Sequence, residues 1–165
     1  MKYSVTTKWD GERVKELGKK VVGKSSFEIG LIVEGHAKLL VNNVTGRLAA
    51  SITTQSKDDG TLPEAKALAS DIIDKPKAEG ETLVGTPVDY APDVEFGTAP
   101  HTIRIKDAKV LSNGKVFFGE EVHHPGTNAN PFLRVALAST QGQSATIVTK
   151  IVDGKSKEYF KDYIK

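Results

Sequence analysis

Helical apolar spacing marks both ends of this chain, and its strongest hairpin signal lies between them. Val14, Leu17 and Val21 fall on one helical face, and Ile29, Ile32, Val33, His36, Leu39 and Leu40 form a second apolar stripe. Near the other end, Phe132, Leu133, Ala136 and Leu137 open a helical pattern. Ile147, Val148, Ile151 and Val152 follow, then Tyr159, Phe160, Tyr163 and Ile164. Between these patterns, Asn113-Gly114 separates Lys109-Val110-Leu111 from Val116-Phe117-Phe118. Asn-Gly suits the two-residue turn whose twist matches that of antiparallel strands. Helices segregated from hairpins point to an α+β fold rather than alternating α/β. The expected architecture is N-terminal helices packed on a mostly antiparallel, curved sheet with a long hairpin or loop arm, followed by C-terminal helices.

Local signals set the expected boundaries. Tyr3, Val5 and Thr7 alternate with polar neighbours as a short strand would. Asp10 can cap a helix with Glu12 in its first turn. Gly23 interrupts the pattern, and the spacing of Ser25 and Glu28 starts a second helix that ends near Val41, before Asn42 and Asn43. Thr45-Gly46-Arg47-Leu48 starts a short helical turn running into Ile52. Residues 55–80 read as an exposed insertion carrying a helix between Thr61 and Ile73, and Thr82 to Thr86 as a strand. Tyr90 to Phe96 reads as a short helix stopped at Gly97, and Glu120 to Asn128 as a long connection. Asn130 caps the next helix, with Pro131 at its first position. Gly142 breaks that helix, and Gly154 sets off a last, lysine-rich one. Residues 1–165 are expected to form a single α+β domain, with 143–165 as a helical extension.

Composition narrows the function classes. In 165 residues there is no cysteine, which removes disulfides, thiolate metal sites and cysteine nucleophiles together. The net charge is only +2, from 23 basic and 21 acidic residues, so no strong basic surface for nucleic acid is evident. The closest candidate is the C-terminal stretch with Lys150, Lys155, Lys157 and Lys161, where Asp153, Glu158 and Asp162 intervene. It keeps open an alternative reading as a small DNA- or partner-binding regulator, although a charge run is usually a solvated face. No apolar run of signal-peptide length lies in Met1 to Asp10, and no stretch approaches the roughly 20 apolar residues that span a bilayer. A protein made in the cytoplasm, without a membrane partner, is the expectation.

Catalytic arrangements are also weak. His101, His123, His124, Asp93 and Glu95 fit no zinc signature, lacking His-Glu-x-x-His spacing and any cysteine. His36 reads as a satisfied, partly buried histidine on an apolar stripe. Ser51 has no nucleophile-elbow context, and Gly23-Lys24-Ser25 lacks the upstream glycine of a phosphate loop. The expectation is a protein that is not an enzyme and has no cofactor or metal.

Three stretches carry a family resemblance: Thr45 to Ile52 (TGRLAASI), Tyr90 to Thr98 (YAPDVEFGT) and His124 to Arg134 (HPGTNANPFLR). In that order and rough spacing, the chain resembles the tail-component family of long-tailed double-stranded DNA bacteriophages, described as tail-completion or head–tail joining proteins. The resemblance spans roughly Ser25 to Leu137; Val135 stands where the family often has proline, and residues 55–80 are longer than its pattern. It implies a small α+β subunit of the virion neck, assembling as a six-fold ring that caps the tail tube and docks to the head connector. DNA then passes through the lumen without base-specific contacts. Interfaces that order only on assembly would leave the free chain monomeric.

On that basis the interface candidates are Tyr90, Glu95, Phe96, Gly97, Thr98, His101, Arg104, His124, Pro125, Gly126, Thr127, Pro131, Phe132 and Arg134. Gly97 permits a sharp turn, and Glu95 either accepts N–H bonds from the Gly97 to His101 turn or is a solvated helix-end acid. Pro125, Gly126 and Pro131 stiffen the second loop, which lowers the entropy lost on docking. This loop and the arm from Gly97 to Arg104 are expected to touch neighbouring subunits, with packing on their own subunit as the competing reading. Phe132 and Leu133 read as core, and Arg134 either pairs with a carboxylate across an interface or is solvated.

Overall fold

The computed structural model describes residues 10–41, 46–57, 75–105, 111–112 and 115–160. Two long helices dominate: α1 (Gly11–Leu40) and, at the other end of the chain, Phe132–Phe160. Between them in sequence lie α2 (Arg47–Ser51), β1 (Thr53–Ser56), β2 (Thr82–Gly85), α3 (Ala91–Phe96), β3 (His101–Arg104), β4 (Leu111–Ser112), β5 (Phe117–Gly119) and β6 (Glu121–His124). The last long helix is therefore α4. The fold is α+β, and all strand pairings among the described residues are antiparallel. They form three two-stranded pieces, β1-β2, β3-β6 and β4-β5, rather than one curved sheet.

Helix α1 starts where its cap predicts, with the Asp10 carboxylate accepting from the Arg13 N–H at 3.1 Å. It then runs unbroken through Gly23, where an interruption was expected. Gly23 and Gly30 are buried on one face of the helix, and at Gly30 that face lies against the β1-β2 ribbon. A Cβ on Gly30 would come within 2.7 Å of the Thr54 and Thr82 methyls, and the Thr54 hydroxyl donates to the Gly30 carbonyl at 3.1 Å. Small residues thus let the helix axis approach the strands. Strand β1 was not legible in Thr53-Thr54-Gln55-Ser56, whose polar residues resemble a loop although three of the four are buried. Ser56 and Thr82 are opposite in register, so the connection between β1 and β2 leaves and returns side by side.

Helix α4 is also continuous, through both Gly142 and Gly154, where breaks were expected. Added Cβ atoms at those two positions would meet nothing within 4 Å, so these glycines only lower helix propensity. Phe132, Ala136, Thr140 and Ile151 are buried along one narrow seam. Asn130 lies by Leu40 and His36 by Ser139 and Thr140, while Glu158 feels Lys20 and Lys24, so α4 runs antiparallel to α1. His36 is satisfied as expected: its Nδ1 is 3.0 Å from the Ser139 hydroxyl.

One core joins the elements: Val33, Ala37 and Val41 from the α1 end, Leu48 and Ile52 around α2, Val88 and Ala91 before and in α3, and Phe132 and Ala136 from α4. Strand β6 lies inside the stretch expected to be a long connection, and pairs with β3 from His101↔His124 to Arg104↔Glu121. The β4-β5 pairing carries the expected hairpin, with an irregular register at Leu111/Ser112. Its Asn113-Gly114 turn, the strand at residues 3–7, the Asn42-Asn43 helix end and the helix at 61–73 lie outside the described residues. No helix of the described residues is long and apolar enough to cross a membrane.

Candidate functional site

The second and third motif segments meet at the root of the β3-β6 arm. The short helix α3 has Tyr90 as its N-cap and Pro92 in its first turn, where a missing N–H costs nothing. It ends at Gly97 with φ 73° and ψ 174°, a conformation open to glycine. Beyond it, Thr98 pairs with Thr127: the Thr98 N–H donates to the Thr127 carbonyl at 3.0 Å, and the Thr127 N–H to the Thr98 carbonyl at 3.1 Å. Their hydroxyls are also 3.0 Å apart.

Two glycines make this crossing possible. A Cβ on Gly97 would come within 2.6 Å of the Thr127 carbonyl oxygen, and one on Gly126, at φ 87°, would collide with the Thr98 carbonyl oxygen. Each glycine faces the other's loop, so the two chains cross nearly backbone to backbone. Pro125 is exposed beside this crossing, and the Asn130 N–H closes its far side on the Val94 carbonyl at 2.8 Å.

Glu95 is buried, and its partners differ from those expected. It does not clasp the Gly97 to His101 turn; it receives the start of α4. Its carboxylate accepts from the Leu133 N–H at 2.9 Å, the Arg134 N–H at 3.2 Å and the Arg134 Nε at 2.9 Å. The first N–H groups of a helix have no intrahelical acceptor, and a carboxylate there also suits the helix dipole. Asn130, expected to cap this helix, instead sends its side-chain N–H to the Leu40 carbonyl at 3.3 Å, covering the exposed end of α1. Burial pushes the Glu95 carboxyl up, but the Leu133 N–H and the Arg134 guanidinium and N–H together outweigh it. They hold the group below the usual carboxylate range.

Arg134 therefore finds its carboxylate within its own chain. Its Nη2 also donates to the Glu95 carbonyl at 3.1 Å, and its guanidinium lies 4.8 Å from the centre of the exposed Phe96 ring. Phe132 is fully buried, as read from the sequence, directly behind Pro131. Tyr90 packs against the same core.

Up the arm, His101 and His124 face each other with ring centres 5.1 Å apart. The His101 Nδ1 lies 2.9 Å from the Ala99 carbonyl and so carries the proton, while the His124 Nδ1 accepts from the Gly126 N–H at 3.1 Å. The two rings thus each contact the loop backbone beside them and brace the crossing. Arg104 pairs with Glu121 at 2.9 Å on the open surface of the arm. Among the described residues, no group of three or more His, Asp or Glu side chains is placed to hold a metal ion.

A groove of about 470 Å³ runs beside this root, lined by β2's end, α3 and the first turn of α4. Val88, Ala91, Pro92, Phe96 and Leu133 give it apolar walls. Sequence reasoning named Phe96 but not the groove, which is built from three segments distant in the chain. Comparison of the chain with protein-family models, with curated proteins and with solved structures gave no match.

Proposed function

We propose that this chain is a structural subunit of the neck of a long-tailed phage, completing the tail and joining it to the head. One observation carries the reading. The three segments behind the resemblance, distant in sequence, converge on one core: Leu48 and Ile52 from the first, Ala91 and Val94 from the second, Phe132 and Leu133 from the third. The segments that carry the resemblance thus pack as one unit in this chain.

The physical character of the unit suits assembly. The clasp of Glu95 on α4 and the Thr98-Thr127 crossing stiffen the root of an exposed arm, which lowers the ordering entropy lost on docking. A heterologous contact repeated around a closing rotation gives a ring. The ring caps the tail tube, presents a face to the head connector and lets DNA pass through its lumen.

Electron microscopy of particles from a phage lacking this protein tests the reading. Accumulated unjoined heads and tails are the expected result; normal virions would overturn it. Salt-dependent binding of duplex DNA by the purified chain, with normal virions, would select a DNA-binding role instead.

A further inference from the structure

We propose that His124 is an acid-sensitive latch on the arm: by taking up a proton at Nδ1 it releases Gly126 and loosens the Thr98-Thr127 crossing. The inference concerns contacts within one chain and stands or falls apart from the neck reading. A backbone N–H can only donate, so the Gly126 N–H, 3.1 Å from the His124 Nδ1, needs a lone pair on that nitrogen. A protonated Nδ1 has none and turns its own N–H toward that of Gly126. The contact spans only Pro125, whose fixed φ leaves little chain to order. It falls on the residue that most needs holding. Gly126 sits at φ 87° with the backbone freedom of glycine, and its missing Cβ is what admits the Thr98 carbonyl. The next residue, Thr127, donates its N–H to the Thr98 carbonyl at 3.1 Å and to the Thr98 hydroxyl at 3.0 Å. Its own carbonyl accepts from the Thr98 N–H at 3.0 Å.

The neighbours give acid one direction. His101 faces His124 across the ribbon, with ring centres 5.1 Å apart. Its Nδ1, 2.9 Å from the Ala99 carbonyl, keeps that bond when the ring is charged, because the carbonyl needs only a donor. His124 is therefore the member of the pair whose bond depends on the lone pair. Two charged rings side by side repel, which adds to the drive to open. Alternation along the strands puts Ile103 and Val122 on the pair's face, and Arg104, Glu121 and His123 on the other. Arg104 and Glu121 pair with each other, and the buried Glu95 carboxylate of the root is taken by Leu133 and Arg134. Among the described residues, no carboxylate is paired with either imidazole to hold a charged ring in place. Opening thus takes up a proton, so the open form gains as pH falls. Imidazoles ordinarily change charge between roughly pH 5 and 8. Glu95 titrates below that window, so the two acid responses are separable.

NMR of the full-length, nitrogen-15-labelled chain from about pH 8 to about pH 5.5 tests the latch. Exchange rates of the Thr98 and Thr127 amides are divided by their intrinsic rates at each pH. Protection is expected to fall about fivefold on acidification, the change that losing one ordinary hydrogen bond produces. Helical circular dichroism should stay constant, and the Gly126 amide resonance should move in step with the His124 ring. His124→Asn supplies an acceptor that does not titrate and that can reach an N–H two residues on, so it should stay protected throughout. His124→Leu offers no acceptor and should be weakly protected at both ends of the range. Protection that does not change with pH in the native chain, or a response undiminished in His124→Asn, overturns the latch. So does a loss of helical circular dichroism over the same range, since the body would then be unfolding with the arm.

Discussion

Glu95 concentrates three roles in one side chain: it caps α4, pairs with Arg134 and ties α3 to both. Glu95→Ala strands the Leu133 and Arg134 N–H groups, so urea denaturation should show a loss of about 2–4 kcal/mol. Arg134 is more than half exposed, so the backbone donors carry most of that loss, not the ion pair. The pH dependence has a definite sign. The folded carboxyl titrates below its ordinary value of 4.5, so the unfolded chain takes up the proton first as pH falls. The stabilisation is complete above about pH 4.5 and is lost as pH drops through the lower folded value. Glu95→Gln should lose stability less steeply than the native chain across that window. Gly126→Ala is the second sensitive position: φ 87° is strained for alanine, and its Cβ collides with the Thr98 carbonyl. A loss of about 2 kcal/mol is expected, with faster amide exchange at Thr98 and Thr127. The sequence made Gly97 legible as a helix stop because that signal is local. The Glu95 partner was not legible, because it lies 38 residues away and only packing selects it.

At the scale of elements, the expectations that failed share a cause. Gly23, Gly142 and Gly154 were read as breaks, yet α1 and α4 run through all three. A glycine inside a helix costs roughly 1 kcal/mol, and the mutual packing of two antiparallel helices of this length outweighs it. The same reasoning separates glycines that are tolerated from one that is required. Gly142→Ala adds a methyl in open space and should raise stability by about 0.5–1 kcal/mol, seen as a higher melting temperature. Gly30→Leu should do the reverse, since its side chain would be driven into Thr54 and Thr82; a loss of about 1–3 kcal/mol or a displaced β1-β2 ribbon is expected. The short helix α3 and strand β2 were legible from proline, glycine and alternation nearby. Strands β1 and β6 were not: one is polar yet buried, and the other is four residues with two histidines and one apolar side chain.

Among the described residues of the whole molecule, a helical body holds the core and the arm adds nothing to it. All buried residues of the core lie in α1, α2, α3, α4 or next to them, while every residue of β3 is exposed. His101 and His124 stand opposite each other at the arm's root, held by the crossing beneath them. The arm beyond that pair can therefore be replaced by a two-residue Asn-Gly turn without breaking the register. The body of such a variant should keep its helical circular dichroism and melt within a few degrees of the native chain, because Ile103, Val116 and Phe117 of the deleted segment are exposed. On the proposed ring reading its assembly should fail, because the deletion removes the exposed arm. A variant that melts far lower would show that the arm supports the body, and one that still assembles would place the subunit contact elsewhere.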